Sequence, residues 1–368
     1  MKGLTNLNNL KLRLGWGIVG NQNASNYAYG TTMKNTVTAW GTGYYPGNYA
    51  NPDLKWEETH SYNVGLDLAL FDYRVEFIVD AYYKKTKNLL MQASLPAYII
   101  DSEGIGMSAP WVNVGGLTNR GIEFTLNTTN ISTKDWTWRS GITLSINRNK
   151  LTQLYSDSSE IFGKIGDEVY TRTAMGSPVG KFFGYNVIGM FTCEADFYQK
   201  DAAGEFLRDD NGARIPVARP ADSTGELYPI DVNSIWVGDY IYEDVNKDGK
   251  IDESDRKYIG NPNPDFTFGF NNVVQYKNFT LSLFFNGSVG NDVYNILRKT
   301  HTDPIGWQGK LKDVVDFARV EMIDPELGTD ISNVYISNPT TAKVQRISAS
   351  GRNNNDNNRI SSRFVEDG

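Results

Sequence analysis

The chain has 368 residues, 40% apolar and 12% aromatic, with 35 Gly and a formal charge of −7. That length suits one large all-β domain or two ordinary ones, and the acidic balance argues against nucleic acid, whose phosphates need a basic surface. One Cys and two His exclude an intramolecular disulfide framework and leave few parts for a nucleophile pair or a zinc site, while the shortness of every apolar run excludes a transmembrane helix but not a membrane-crossing strand.

Alternation begins at Leu10. Leu10, Leu12, Leu14, Trp16 and Ile18 share one parity, and Lys11, Arg13, Gly15 and Gly17 the other. Successive side chains of a strand face opposite sides, so this is one apolar and one polar or small face. The pattern recurs over Tyr62–Leu70, Tyr73–Lys84, Ile122–Asn127, Trp136–Asn147, Phe266–Tyr276 and Phe279–Asn286. Seven strands of about ten residues are predicted, the length that spans a bilayer when tilted.

The connections alternate strictly. Short ones lie at Phe71-Asp72, across Ile131 to Asp135 and at Lys277-Asn278; long ones run over Gly20–His60, Lys87–Asn119, Arg148–Asp265 and from Gly290 to about Asn358. Outer-membrane barrels have this asymmetry, with short periplasmic turns and long extracellular loops. Any one such strand equally suits a soluble sandwich, but a sandwich has Greek-key connections without this parity. The fold expected is an all-β, antiparallel transmembrane barrel fragment. Leu12, Leu66, Val75, Leu144 and Leu283 are expected to face lipid, and Arg13, Asp67, Glu123 and Arg139 the lumen. The long loops offer aromatic surface at Trp40, Tyr44, Tyr45, Tyr49, Trp111 and Trp307, rings that can stack on sugars or cover a partner.

The sharpest local motif lies in the longest loop. Asp244, Asn246 and Asp248 occupy positions 1, 3 and 5 of a twelve-residue calcium loop, Gly249 position 6, the Lys250 carbonyl position 7, Asp252 position 9 and Asp255 position 12. A hard cation needs six to eight oxygens, and this spacing wraps them around one point. Asp replaces the usual Glu at position 12, and no amphipathic helix precedes the loop, so its expected role is to order the segment 236–256. Gly15-Trp-Gly17-Ile-Val-Gly20 matches a dinucleotide fingerprint but sits inside a strand without a following helix, and carries no such function. Leu311, Val314, Val315 and Ala318 have helical spacing, expected as a loop helix packed on the barrel rim, and Arg352–Asn358 reads as a solvated, turn-prone tract.

The stretch Val237-Gly-Asp-Tyr through Asp244–Arg256, then Ile259-Gly-Asn-Pro-Asn-Pro-Asp-Phe266-Thr-Phe-Gly-Phe270, resembles the C-terminal region of SusC/RagA-family TonB-linked outer-membrane proteins. Further segments resemble it in the same order: Leu12-Arg-Leu-Gly-Trp-Gly, Asn51-Pro-Asp-Leu-Lys-Trp-Glu57, Asp80-Ala-Tyr-Tyr-Lys-Lys-Thr-Lys-Asn-Leu-Leu90, Asn113-Val-Gly-Gly-Leu-Thr-Asn-Arg-Gly-Ile-Glu123 and Arg363-Phe-Val-Glu-Asp-Gly368. The resemblance implies a large outer-membrane barrel that imports oligosaccharides or peptides with energy from TonB, lidded by a SusD-like surface lipoprotein and catalysing no reaction. It further implies that 1–368 is a partial C-terminal barrel domain, with signal peptide, plug, TonB box, first barrel half and last strands lying outside it. The alternative is a soluble or surface-attached β-rich carbohydrate-binding protein with a dockerin-like calcium loop. A secreted glycoside hydrolase is a third reading, which needs an acid pair in a cleft.

Overall fold

The computed structural model describes residues 6–93, 107–154, 160–222, 224–304, 308–348 and 354–368. Seven strands form one antiparallel sheet: β1 (Leu7–Asn21), β2 (Glu57–Leu70), β3 (Val75–Gln92), β4 (Trp111–Ser132), β5 (Trp136–Gln153), β6 (Phe266–Tyr276) and β7 (Phe279–Val289). They lie side by side in chain order, a meander and not a Greek key. Among the described residues, no helix is long and apolar enough to cross a membrane, which says nothing of strands.

Register explains the alternation. Leu12, Leu66, Val79, Phe124, Leu144 and Phe268 are successive cross-strand partners, and Leu10, Leu68, Phe77, Leu126, Ile142, Phe270 and Phe285 form the adjacent row. The face these rows make is open: Leu12 is 64% and Phe285 57% exposed. Among the described residues of the seven strands, only Ala69 and Leu151 are buried apolar side chains. A sandwich would pack this face against a second sheet. Aromatics bound the apolar band, Trp136, Tyr276 and Phe279 in register at the tight-turn end and Trp16, Tyr62 and Tyr83 at the other.

The short–long parity of the connections holds, with three corrections to the boundaries. Tyr73 and Arg74 belong to the turn after β2, not to a strand. Phe71, Asp72 and Tyr73 all take left-handed φ, near +56°, +55° and +61°, and Asn8 holds the turn by accepting from the Asp72 N–H at 2.7 Å. β5 runs on past Arg148 to Gln153, and β3 and β4 also continue well past Lys87 and Asn119, leaving only residues 93–110 between them. The reason is a bulge: register shifts between Lys87 and Leu89, where Asn88 takes φ 55°, so strict alternation ends while the pairing goes on. Finally, the connection after β1 contains its own hairpin, Met33–Thr38 with Gly41–Pro46.

The chain divides into two compact units, one formed by Met1–Ile161, Thr173–Val179 and Asn263–Gly290, the other by Phe162–Arg172, Gly180–Pro262 and Asn291–Gly368. In the first, Asn149 of β5 links two points of the connection between β5 and β6, Val179 and Asn263. Its Oδ1 accepts from the Val179 N–H at 2.7 Å, its Nδ2 donates to Asn263 Oδ1 at 2.8 Å, and Asn263 Nδ2 donates to the Val179 carbonyl at 3.0 Å.

The second unit, expected only as loops, has a core of its own. Phe191, Phe197, Ile235, Trp236, Val237, Ala318, Val334 and Ile336 cluster in it, with Phe191 and Phe197 stacked at 4.0 Å. Tyr185, Ala218, Tyr240, Tyr242 and Ile251 form a second cluster. Trp236 and Val237, which open the expected 236–256 insert, thus lie in a core. The Asn tract is also corrected, for Asn355, Asn357 and Asn358 are buried. A carboxamide both donates and accepts, so it can replace a sheet partner for buried backbone. Asn357 accepts from the Tyr240 N–H at 2.9 Å and donates to Asp239 at 2.8 Å, while Asn355 donates to the Tyr240 carbonyl at 2.9 Å. The helical spacing at Leu311–Ala318 yields only a 3-10 turn, Lys312–Asp316. Leu311 and Val315 are exposed and Ala318 is buried, so the four do not share one packed face. Among the described residues the α-helix is Ile296–His301, which has no periodic signature at six residues.

Candidate functional site: the polar face and an acidic turn

The face opposite the apolar rows is built by the other parity of the same strands. Arg13, Gly65, Asp80, Glu123, Ser145, Thr267 and Ser288 follow one another across it. Arg13 donates from Nε to Asp67 Oδ1 at 3.0 Å, and from Nη2 to Asp67 Oδ1 at 2.7 Å and Asp80 Oδ2 at 2.9 Å. Its guanidinium therefore crosses β2 to reach β3. Gly65 makes the crossing possible, because a Cβ there would stand 2.4 Å from Asp80 Oδ1 and 2.7 Å from the Arg13 Cζ. The device recurs two strands on. Asn147 Nδ2 donates to the Tyr82 hydroxyl at 2.6 Å across Gly121, where a Cβ would lie 2.5 Å from that hydroxyl.

Arg13, Asn63, Asp80, Tyr82, Lys84 and Glu123 line one shallow hollow on this face. Arg139 lies on the same face, opposite Thr129 and Val273, and Ile78 is an apolar residue set among the polar ones between Asp67 and Thr125. The sequence pattern located Arg13, Asp67, Glu123 and Arg139 on one face. It did not reveal that Arg13 is held by two carboxylates, although glycines between polar residues at matching register are a readable signal.

The acidic turn keeps its order but not a closed cage. Asp244 accepts from the backbone N–H groups of Lys247 at 2.6 Å, Asp248 at 3.3 Å and Gly249 at 2.9 Å, with Lys247 and Gly249 at φ 61° and 84°. Asn246 donates to Asp248 Oδ2 at 2.9 Å, and Asp248 Oδ1 accepts from the Lys250 N–H at 2.9 Å. Asp252 and Asp255 form a capping box on the short turn Glu253–Asp255. Asp255 is fully buried and accepts from Val245 and Asp252 N–H, both at 2.8 Å, and burial pushes its carboxyl above the ordinary range. Lys250 lies in a two-residue strand beside Arg219–Pro220. Among the described residues, no three His, Cys, Asp or Glu side chains converge as a metal cage would. A carboxylate has about four lone-pair sites, so these N–H contacts leave acceptor capacity for a cation.

Of the loop aromatics, Trp40 is 98% and Tyr44 70% exposed, both in the Met33–Pro46 hairpin region. Tyr45, Tyr49 and Trp111 are half-buried, and the Trp111 indole donates to Ser25 Oγ at 3.1 Å. Trp307 lies outside the described residues.

A meander of long tilt-competent strands, apolar and open on one face and polar on the other, with aromatic borders, defines a wall segment of a membrane β-barrel. Residues 4–185 match the family described as TonB dependent receptor-like, beta-barrel, and with them the chain carries part of a TonB-dependent receptor barrel. It is 32% identical over 304 residues to TonB-dependent receptor P3 of Formosa agariphila, covering 80% of this chain and 27% of that protein. It is 33% identical over 315 residues to TonB-dependent receptor P26 of the same organism, covering 83% and 28%. TonB-dependent receptor SusC of Bacteroides thetaiotaomicron is 30% identical over 304 residues, covering 80% and 26%. The chain thus spans about a quarter of the length of these curated relatives. Its fold matches the structure of the RagAB peptide transporter, with TM-score 0.65 and 19% identity over 100% of this chain and 34% of that one. The resemblance to SusC/RagA receptors read from the motifs is borne out.

Proposed function

We propose that this chain forms wall and outer loops of an outer-membrane importer, which takes up oligosaccharides or peptides with energy from TonB and catalyses no reaction. The observation that carries the reading is the two-faced meander: Leu12 to Phe268 on the open apolar face, and Arg13 fixed between Asp67 and Asp80 on the face that would line a lumen. The SusC likeness supports a SusD-like lipoprotein as partner. The exposed Trp40 and Tyr44 suit such a contact or a sugar ring, combining apolar faces with polar tips. The test uses the full-length parent protein, purified from its own membrane in detergent. A co-purifying lipoprotein and uptake that stops when TonB is deleted are expected. A parent that stays in solution without detergent would establish the carbohydrate-binding alternative, and one that purifies alone and hydrolyses a glycan would establish the hydrolase.

We further propose that the loop at Asp244, Asn246, Asp248, the Lys250 carbonyl, Asp252 and Asp255 takes up calcium and stiffens residues 244–256. Its support is the ligand spacing and the spare acceptor capacity of its carboxylates. Calorimetry on the full-length protein is expected to show uptake at roughly millimolar calcium or below, the weak end for extracellular loops. Asp244→Ala is expected to abolish that heat and leave the strand signal in circular dichroism unchanged. No heat from the unmodified protein in this range sinks the proposal.

A further inference from the structure

We infer that the apolar-parity face of β3, β4 and β5 binds the phosphate groups of a membrane glycolipid through Lys85, Arg120, Arg148 and Lys150; the inference rests on the outer-membrane reading above. Register places these four cations. The aromatic row Trp16, Tyr62, Tyr83 continues directly into Arg120 and Arg148, and the next row outward runs Ile18, His60, Lys85, Thr118, Lys150. All four alternate in phase with the lipid-side residues of their own strands, Val79 and Ala81 on β3, Ile122 and Phe124 on β4, and Leu144 and Ile146 on β5. They therefore begin where the aromatic row ends the apolar band, the depth at which lipid headgroups lie.

The arrangement is unfavourable by itself. Arg120 stands directly opposite Arg148, and like charges paired across two strands destabilise a sheet. Local acids answer little of this charge. Arg148 donates to Asp265 Oδ1 at 2.8 Å and to the carbonyls of Asn147, Pro264 and Asp265. Lys85, Arg120 and Lys150 are exposed and make no ion pair among the described residues. The acid that β2 offers on this face, Glu58, lies a row further out, opposite Lys87. A doubly charged phosphate held at the headgroup level supplies the missing countercharge, and a guanidinium can grip two of its oxygens at once. A neutral sugar or a zwitterionic headgroup offers no such net charge.

The test is native mass spectrometry of the full-length protein in detergent, incubated with bis-phosphorylated lipid A, with lipid A stripped of phosphate, and with inorganic phosphate. Retention of phosphorylated lipid A above both others is expected, and the combined Lys85→Gln, Arg120→Gln, Lys150→Gln variant should lower it about a hundredfold, the sum of three cations at a charged surface. Lys84→Gln, on the opposite face over the Tyr82 ring, should leave it unchanged, and Arg120→Lys should keep most of it. Equal retention with and without phosphate, preference for free phosphate, or a triple variant that retains lipid A like the unmodified protein overturns the inference while leaving the barrel reading intact. A protein that needs no detergent overturns the reading itself, and the inference with it.

Discussion

Leu144→Arg is expected to cost about 2–4 kcal/mol of stability in a bilayer, and Ser145→Arg next to it close to nothing. Leu144 is central in the apolar row, with Phe124 on one side and Phe268 on the other, and the aromatic borders lie at opposite ends of the strands. A guanidinium there has no water to meet and no acid in register. Ser145 faces the other way, beside Glu123 and Thr267, where a new cation gains a carboxylate partner. Equilibrium urea unfolding of the full-length protein in phospholipid vesicles separates the two. Equal penalties at both positions would mean that neither face meets lipid.

Arg346→Met is expected to cost about 3–5 kcal/mol, because it strands a buried carboxylate. Arg346 and Asp239 are 4% and 0% exposed at the side chain, with Nε donating to Asp239 Oδ1 at 3.0 Å and Nη2 to Oδ2 at 3.2 Å. The same guanidinium donates to the carbonyls of Val232 at 2.8 Å and Ser234 at 3.1 Å, and it lies 5.5 Å from the centre of the Trp236 ring. Loss of the cation takes from the buried Asp239 its charged partner, to which the Trp236 N–H and the Asn357 amide are no substitute, and orphans two carbonyls. Adding Asp239→Asn should recover part of the loss, since the uncompensated charge is then gone. The readout is the thermal midpoint together with tryptophan emission, because Trp236 is buried beside the pair. A midpoint unchanged by Arg346→Met would show that the pair contributes no net stability.

The seven strands were legible because a strand with one buried or lipid-covered face must alternate, and a one-residue slip would invert every side chain. Leu10 to Ile18 and Trp136 to Asn147 carry that signature intact. It faded where Asn88 bulges, so the outer parts of β3 and β4 were read as loop. The second unit left no periodic trace. Its strands are two to seven residues long, and its core joins Phe191 to Trp236 and Val334, residues far apart in the chain. Buried polar partners were hidden for a related reason: Asn355 and Asn357 read as solvated by composition, and only the tertiary fold gives them backbone groups to satisfy. The acidic turn was fully legible as spacing. That Asp255 would turn inward to cap its own 3-10 helix was not, because the same side chain can serve backbone or cation.

The asparagine clasp bears on how the sheet closes. β5 and β6 are neighbours in the sheet but are separated in sequence by residues 154–265, and joining the ends of so long a tether costs entropy as (3/2)RT times the logarithm of its length. Asn149 ties Val179 to Asn263 at the root of that excursion. Once it is tied, β6 is tethered by a span about four times shorter, which lowers the remaining closure penalty by roughly 1 kcal/mol. A large excursion can thus be inserted between these two strands while slowing the zipping of the hairpin that follows it less.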